Sequence, residues 1–264
     1  MDETAPLRLT ELRITGDVLG DGAFATVFKG VATFVVDGGA SGSAAAATST
    51  PLYTRDNVSV AVKVPKVPAG SEMMRKEFYL TRMICDLVPH GVVRTYAVVA
   101  HPEDATKTCI VMELMHHTMH DERTHPDHIQ DGPNYPAFDP ALALSRTLGH
   151  FAQVAEALHA IHEIAGVVVL DIKPKNILID KFGNALIADF GVSHAVRKIE
   201  STIAASVRDV SVGAGTPPYF SPEQRGIKDR KTKKIVKASF ASDIWNVGAS
   251  LLEMFSGDAP WIRV

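Results

Sequence analysis

Between Ile177 and Ala188, two short apolar runs, ILI and ALIA, flank the turn-forming stretch DKFGN. Apolar runs this short, separated by a turn rich in Asp, Gly and Asn, predict a β-hairpin. A hairpin brings the residue entering its first strand close to the residue leaving its second. Those two places are held by Asn176 and Asp189. Two oxygen-bearing side chains at one end of one hairpin make a candidate site for a hard cation. Few other stretches of the sequence say as much about what the chain must build.

The remaining sequence supplies a globular framework around that hairpin. Of 264 residues, 46% are hydrophobic and 22% charged, and the formal net charge is −3. With no overall basic field, binding to nucleic acid or to a membrane surface is not indicated. The opening MDETAPLRLTELR is too charged for a secretion signal, and no apolar run approaches the ~20 residues of a membrane span. Cys85 and Cys109 lie in apolar stretches and read as buried thiols. Together these features predict a soluble cytoplasmic chain.

Leu12 to Lys29 reads as two strands around a glycine-rich turn, and Asn57 to Val67 as a valine-rich strand. Between them, 37–57 carries a low-complexity insertion that begins DGGASGSAAAATSTP. Ser71 is a candidate cap for a helix running to about Val88, with Met73, Met74, Glu77, Leu80, Thr81, Ile84 and Val88 along one side. Glu77 is thus a carboxylate on a largely apolar stripe, and either faces water at the edge of the stripe or has a cationic partner. Val92–Ala100 and Thr108–Leu114 read as strands, 115–140 as a His-, Asp- and Pro-rich loop, and Ala141–Ile164 as an amphipathic helix ended by Gly166. Gly191–Thr216 lacks a period. Asp243 is a candidate cap for a last helix, IWNVGASLLEMFSG, apolar on nearly every side and read as buried.

In this order the pieces resemble the eukaryotic protein kinase family, serine/threonine type. Gly20-Asp21-Gly22-Ala23-Phe24-Ala25 resembles its nucleotide-covering loop, with Ala25 in place of the third glycine. Val60-Ala61-Val62-Lys63 resembles the strand with the phosphate-binding lysine, and the resemblance pairs Lys63 with Glu77; Glu72 is the rival partner. Val169-Leu170-Asp171-Ile172-Lys173-Pro174-Lys175-Asn176 resembles the catalytic loop, but Val169-Leu170 replaces the family's His-Arg. Asp189-Phe190-Gly191 resembles the metal-binding motif. Gly215-Thr216-Pro217-Pro218-Tyr219-Phe220-Ser221-Pro222-Glu223 resembles the end of the activation segment. Asp243-Ile244-Trp245-Asn246-Val247-Gly248 resembles the motif whose Asp anchors the catalytic loop, with Asn246 for the commoner Ser.

The resemblance implies an α+β, bilobal fold. A small, mostly antiparallel β lobe with one helix would span 1–115, and a larger, incomplete helical lobe 116–264. It implies phosphoryl transfer from ATP, with Mg²⁺, to a Ser or Thr hydroxyl of a protein substrate. Asp171, Lys173, Lys63 and Thr216 would be catalytic, and Asn176 and Asp189 the metal ligands. Leu19, Gly20, Gly22, Val27, Ala61, Lys63, Glu77, Met112, Glu113, Met115 and Leu178 would hold the nucleotide, with 113–115 reading the adenine edge.

The lost His-Arg pair and Ala25 keep a second reading open, a kinase-like binding module with little catalysis. A third is metal binding by His116, His117, His120, His125 and His128. The basic run Lys228–Lys234 fits an acidic-substrate or nuclear address, or a solvated loop. Ser201, Thr202, Ser206 and Ser211 are candidate phosphosites. The resemblance also implies helices beyond Val264, including an Arg that pairs with the Glu223 position. Glu223 is therefore expected to lack that partner, the last helix to expose apolar surface, and the chain alone to be unstable or inactive.

Overall fold

Valines 58, 60, 62 and 64 alternate with Ser59, Ala61 and Lys63, and this strand becomes the centre of a five-stranded sheet. The computed structural model describes residues 7–37, 51–124, 140–195 and 212–260. Strands β1 (Leu7–Asp21), β2 (Ala25–Asp37), β3 (Pro51–Pro65), β4 (Thr95–Ala100) and β5 (Thr108–Glu113) form an antiparallel sheet in the order β1-β2-β3-β5-β4. Val60, Val62 and Val64 are buried in one cluster with Ala32, Phe34, Cys109 and Val111. The alternation puts these valines on one face of β3, which is the face that the cluster buries.

The first three strands run longer than the sequence suggests, because bulges between Leu9 and Glu11 and between Ile14 and Val18 keep β1 paired through polar positions. Burial drives the Cys109 thiol up to about 11, so it stays protonated.

Helix α1 (Ser71–Leu87) buries Met74, Glu77, Thr81 and Ile84 along the expected stripe. Ser71 does not cap it. The residue is itself helical, and its hydroxyl accepts the Thr108 N–H at 3.0 Å, tying the helix start to β5.

By internal contacts the chain divides into two compact units, Met1–Phe78 with Arg94–Leu114, and Tyr79–Val93 with Met115–Val264. Relative to a single cut after residue 115, residues 79–93 group with the second unit. The reason is burial: Ile84, Val88 and Val92 share a core with Val154, Leu158, Ile177 and Ile187.

Where the sequence suggests only a loop, β6 (His117–Thr118) pairs with β8 (Ile177–Ile179), and a short helix α2 (Met119–Thr124) follows. Thr118 and Asp121 cap it reciprocally: Asp121 accepts the Thr118 N–H at 2.8 Å, and Thr118 accepts the Asp121 N–H at 3.1 Å. α3 (Pro140–Ala160) widens through 161–165 and ends at Gly166, which is left-handed (φ 63°). β8 pairs with β9 (Ala185–Ile187) in the expected hairpin. β7 (Val167–Val168) pairs with β10 (His194–Ala195), a short strand inside the segment read as irregular.

α4 (Phe240–Ser256) starts earlier than expected. Ser239 and Ser242 form its capping box, so Asp243 lies within the first turn and is not the cap. Its burial does not follow polarity, although Ala249 is buried and Val247, Leu251 and Met254 pack against the core. Ser242, Asp243, Asn246, Ser250 and Glu253 are buried, while Ile244, Trp245, Leu252 and Phe255 are exposed. Polar groups win the inside because each finds a partner there. Among the described residues no helix is long and apolar enough to cross a membrane.

Candidate active site

The catalytic-loop motif is held from below by α4. Asp243, fully buried, accepts N–H groups from Val169 (2.9 Å) and Leu170 (2.7 Å) and faces His162 Nε2 at 2.8 Å. A carboxylate taken out of water is tolerable with that many donors. His162 stacks on Phe240 with ring centroids 4.3 Å apart. Ser250 Oγ donates to Ile172 O at 3.1 Å. Leu170 takes a left-handed backbone (φ 68°), a strained conformation for a branched side chain, and these bonds hold it there.

Asp171 follows directly. Its Oδ2 accepts from Lys173 Nζ (2.7 Å) and Asn176 Nδ2 (2.9 Å), and its Oδ1 from Thr216 Oγ1 (2.6 Å). Lys173 Nζ also donates to Thr216 Oγ1 at 2.6 Å, so one ammonium is shared between carboxylate and hydroxyl.

At the open end of the hairpin, the Ala188 N–H donates to Asn176 O at 2.9 Å. Asn176 spends its amide N–H groups on the Asp171 carboxylate and carbonyl, which leaves its Oδ1 as an oxygen donor. Asp189 is left-handed (φ 63°) and exposed, and its Oδ1 accepts the Gly191 N–H at 3.2 Å; the neighbouring Phe190 is buried. A carboxylate and an amide oxygen are the donor types that Mg²⁺ takes.

The first unit carries the other set. Gly20 pairs with Val27, Val27 with Lys63 and Lys63 with Ile110, so these residues form one row across the sheet. Ala61 pairs with Met112 two residues along, and Glu113 with Val60. Lys63 Nζ donates to Glu77 Oε1 at 2.6 Å, both side chains largely buried. The rival Glu72 instead meets Lys76 at 3.6 Å on the exposed side of α1. At the glycine turn, the Gly22 N–H donates to Ala25 O at 2.9 Å. Asp21 accepts from Thr26 Oγ1 (2.7 Å) and Lys66 Nζ (3.0 Å), bonds that hold its carboxyl below the usual range. Leu19 is exposed and Val27 half-buried; Met115 and Leu178, both half-buried, belong to the second unit.

The decisive comparison is with family models: residues 39–263 match that of the protein kinase domain. The chain belongs to the protein kinase domain family. Similar curated proteins include the serine/threonine-protein kinase PknL of Mycobacterium bovis, 33% identical over 212 residues, covering 80% of this chain and 46% of that protein. The serine/threonine-protein kinase pkn2 of Myxococcus xanthus is 31% identical over 219 residues, covering 80% of this chain and 23% of that protein. Cell division control protein 7 of Schizosaccharomyces pombe is 27% identical over 255 residues, 93% of this chain and 18% of that protein. The chain thus spans less than half the length of each of these relatives.

Several groups around the site escape sequence reasoning. His162, Ser250 and Gln224 carry no motif, and only the fold turns them toward the catalytic loop. Tyr219 donates its hydroxyl to buried Glu253, which also faces His120 (3.4 Å) and Arg123 (3.6 Å). Burial, reinforced by the Glu253 carboxylate, pushes the Tyr219 phenol far up, so it stays a neutral donor.

Of the His-rich stretch, His117 pairs with Glu122 at 3.1 Å, and His125 and His128 lie outside the described residues. Among the described residues no group of three or more His, Cys, Asp or Glu is arranged to hold a metal ion. Lys228–Lys234 forms an exposed turn in which Asp229 Oδ1 accepts N–H groups from Lys231 (3.0 Å) and Thr232 (2.6 Å). Glu223 is half-buried and has no ion pair among the described residues. Ser201, Thr202, Ser206 and Ser211, and most of the 37–57 insertion, lie outside the described residues.

Proposed function

We propose that this kinase domain transfers the γ-phosphoryl group of ATP to a Ser or Thr hydroxyl of a protein substrate. The observation that carries the reading is the closed set around Asp171, in which one carboxylate meets Lys173, Asn176 and Thr216 within 2.9 Å.

Asp171 takes the proton of the incoming hydroxyl as its oxygen bonds to the γ-phosphorus. The bond from that phosphorus to the β-bridging oxygen breaks, and ADP leaves. Lys173 neutralises the moving phosphoryl group, while Thr216 keeps both Asp171 and Lys173 aimed. Lys63, oriented by Glu77, holds the α- and β-phosphates, under backbone N–H groups of the Gly20–Gly22 turn. In the first unit Leu19, Val27, Ala61 and Met112 would offer apolar surface to adenine and the Glu113 backbone would read its edge; Met115 and Leu178, in the second unit, keep the nucleotide-binding roles that the family resemblance gives them. Asn176 and Asp189 would hold Mg²⁺, which supplies charge neutralisation on the phosphate oxygens. Little covalent work falls to the protein; positioning and electrostatics supply the rate. This reading goes with a cytoplasmic or nuclear location, with neither nucleic acid nor membrane as partner.

The test is a phosphotransfer assay with labelled ATP and a Ser/Thr peptide library, comparing wild type with Asp171→Asn. The variant should lose about 10²–10⁴-fold in rate. Equal rates in both would overturn the assignment.

A further inference from the structure

Gln224 is fully buried one residue beyond the Glu223 motif position, and all four of its side-chain bonds are made. Nε2 donates to Leu170 O at 2.8 Å and to Ala214 O at 2.7 Å. Oε1 accepts from Ser221 N and from Asn246 Nδ2, each at 3.0 Å. Asn246, also fully buried, donates in addition to Tyr219 O at 2.6 Å. A primary amide can serve two acceptors with its two N–H groups, and here both acceptors are backbone carbonyls on either side of the site.

The consequence is a register. Leu170 O precedes Asp171, and Ala214 O lies two residues before Thr216. Holding both carbonyls on one amide lays the backbone at 215 against the catalytic loop. Gly215 shows how close the approach is: its φ is +105°, and a Cβ there would sit 2.4 Å from Leu170 O. The next residue, Thr216, then delivers its hydroxyl to Asp171 Oδ1 at 2.6 Å. Leu170 itself, a hydrocarbon side chain packed with Val168, Ala238 and Phe240, offers no cation to an activation-segment phosphate.

We propose that Gln224, oriented by Asn246, is a positioning residue that sets Thr216 against Asp171 without any phosphate on the activation segment. The proposal rests on the kinase reading above. Asn246 has a function in this arrangement that a serine is too short to fill, since its amide must reach both Tyr219 O and Gln224 Oε1.

The experiment uses the full chain treated with a phosphatase and then assayed in phosphatase inhibitor. Wild type should keep its rate within about twofold of untreated protein. Gln224→Met, similar in length but without the amide, should lower kcat by about ten- to a hundredfold while leaving the KM for ATP within about twofold. Gln224→Glu keeps the shape and regains a donor only when protonated. Its kcat relative to wild type should therefore climb as pH falls from about 8 to about 6, whereas the Gln224→Met ratio stays flat. Asn246→Ser should lower kcat several-fold.

Wild type active with Gln224→Met unchanged would overturn the inference and leave the kinase reading intact. Wild type active only before phosphatase treatment would overturn the phosphate-free claim. Wild type inactive under both conditions would sink the kinase reading instead. In that event amide exchange still decides the register: Gln224→Met must lose protection across 168–172 and 213–219, and unchanged protection there overturns it.

Discussion

The Asp243 carboxylate accepts the Leu170 N–H at 2.7 Å across 73 residues of chain, and the strained backbone at Leu170 is the support on which Asp171 stands. Replacing Asp243 by Asn puts an NH₂ group against backbone donors and removes the charge that His162 faces. Asp243→Asn should cost about 3 kcal/mol of stability. Urea unfolding followed by circular dichroism checks this, and a midpoint equal to wild type would contradict the arrangement.

Lys63 and Glu77 form a pair whose side chains are 12% and 5% exposed. Lys63→Met leaves the carboxylate without that cation and should cost about 3–5 kcal/mol. Lys63→Met combined with Glu77→Leu should recover much of that stability and none of the phosphotransfer. Thermal melts of both variants beside wild type separate the two effects; a double variant no more stable than Lys63→Met would count against it.

Glu122 gives a pH dependence with a definite sign. Burial raises its pKa, but hydrogen bonds and charge from His117 and His150 outweigh that and bring it to about 2 from an ordinary 4.5. A depressed folded-state pKa contributes stability that is fully present above about 4.5. That stability fades as pH falls and is gone near 2. The contribution is roughly 3 kcal/mol. Glu122→Gln should therefore be less stable than wild type at neutral pH, with the gap closing between about 4.5 and 2. A gap constant across that range in urea titrations would refute the assignment.

Gly215 and Gly183 are both left-handed, at φ +105° and +86°, yet their surroundings differ. A Cβ at Gly183 meets nothing within 4 Å, so Gly183→Ala should cost only the backbone strain, about 1–2 kcal/mol. At Gly215 the same atom collides with Leu170 O, a backbone atom that Gln224 and Asp243 hold in place. Gly215→Ala should lower both stability and phosphotransfer well beyond the Gly183 change, as melts and rates would show.

The hairpin 177–187 was legible because it rests on short-range chemistry, a turn sequence between two apolar runs; Glu77 stood out as a carboxylate on a helical stripe, and its pairing with Lys63 came from the family resemblance. Asp243 was legible as a residue but misplaced as a helix cap, since a capping signal and a first-turn carboxylate look alike in sequence. α2 was missed because a helix of six residues has too little period to detect, and its Thr118–Asp121 cap lay within a stretch dominated by polar residues. α4 was read as apolar on nearly every side and was expected to expose apolar surface, as Ile244, Trp245, Leu252 and Phe255 do; its buried polar side was missed, because buried position is fixed by partners and not by apolarity alone.

Local residue types and their spacing were sufficient for the 177–187 hairpin, the valine-rich strand and the left-handed glycine that ends α3, and the motifs carried the resemblance to the family; the two-residue strands β6 and β10 were not legible. Gln224 and His162 were settled only by tertiary structure. A side-chain amide or imidazole has no preferred neighbour along the chain, and its role follows from which distant carbonyls and carboxylates the fold carries into its reach.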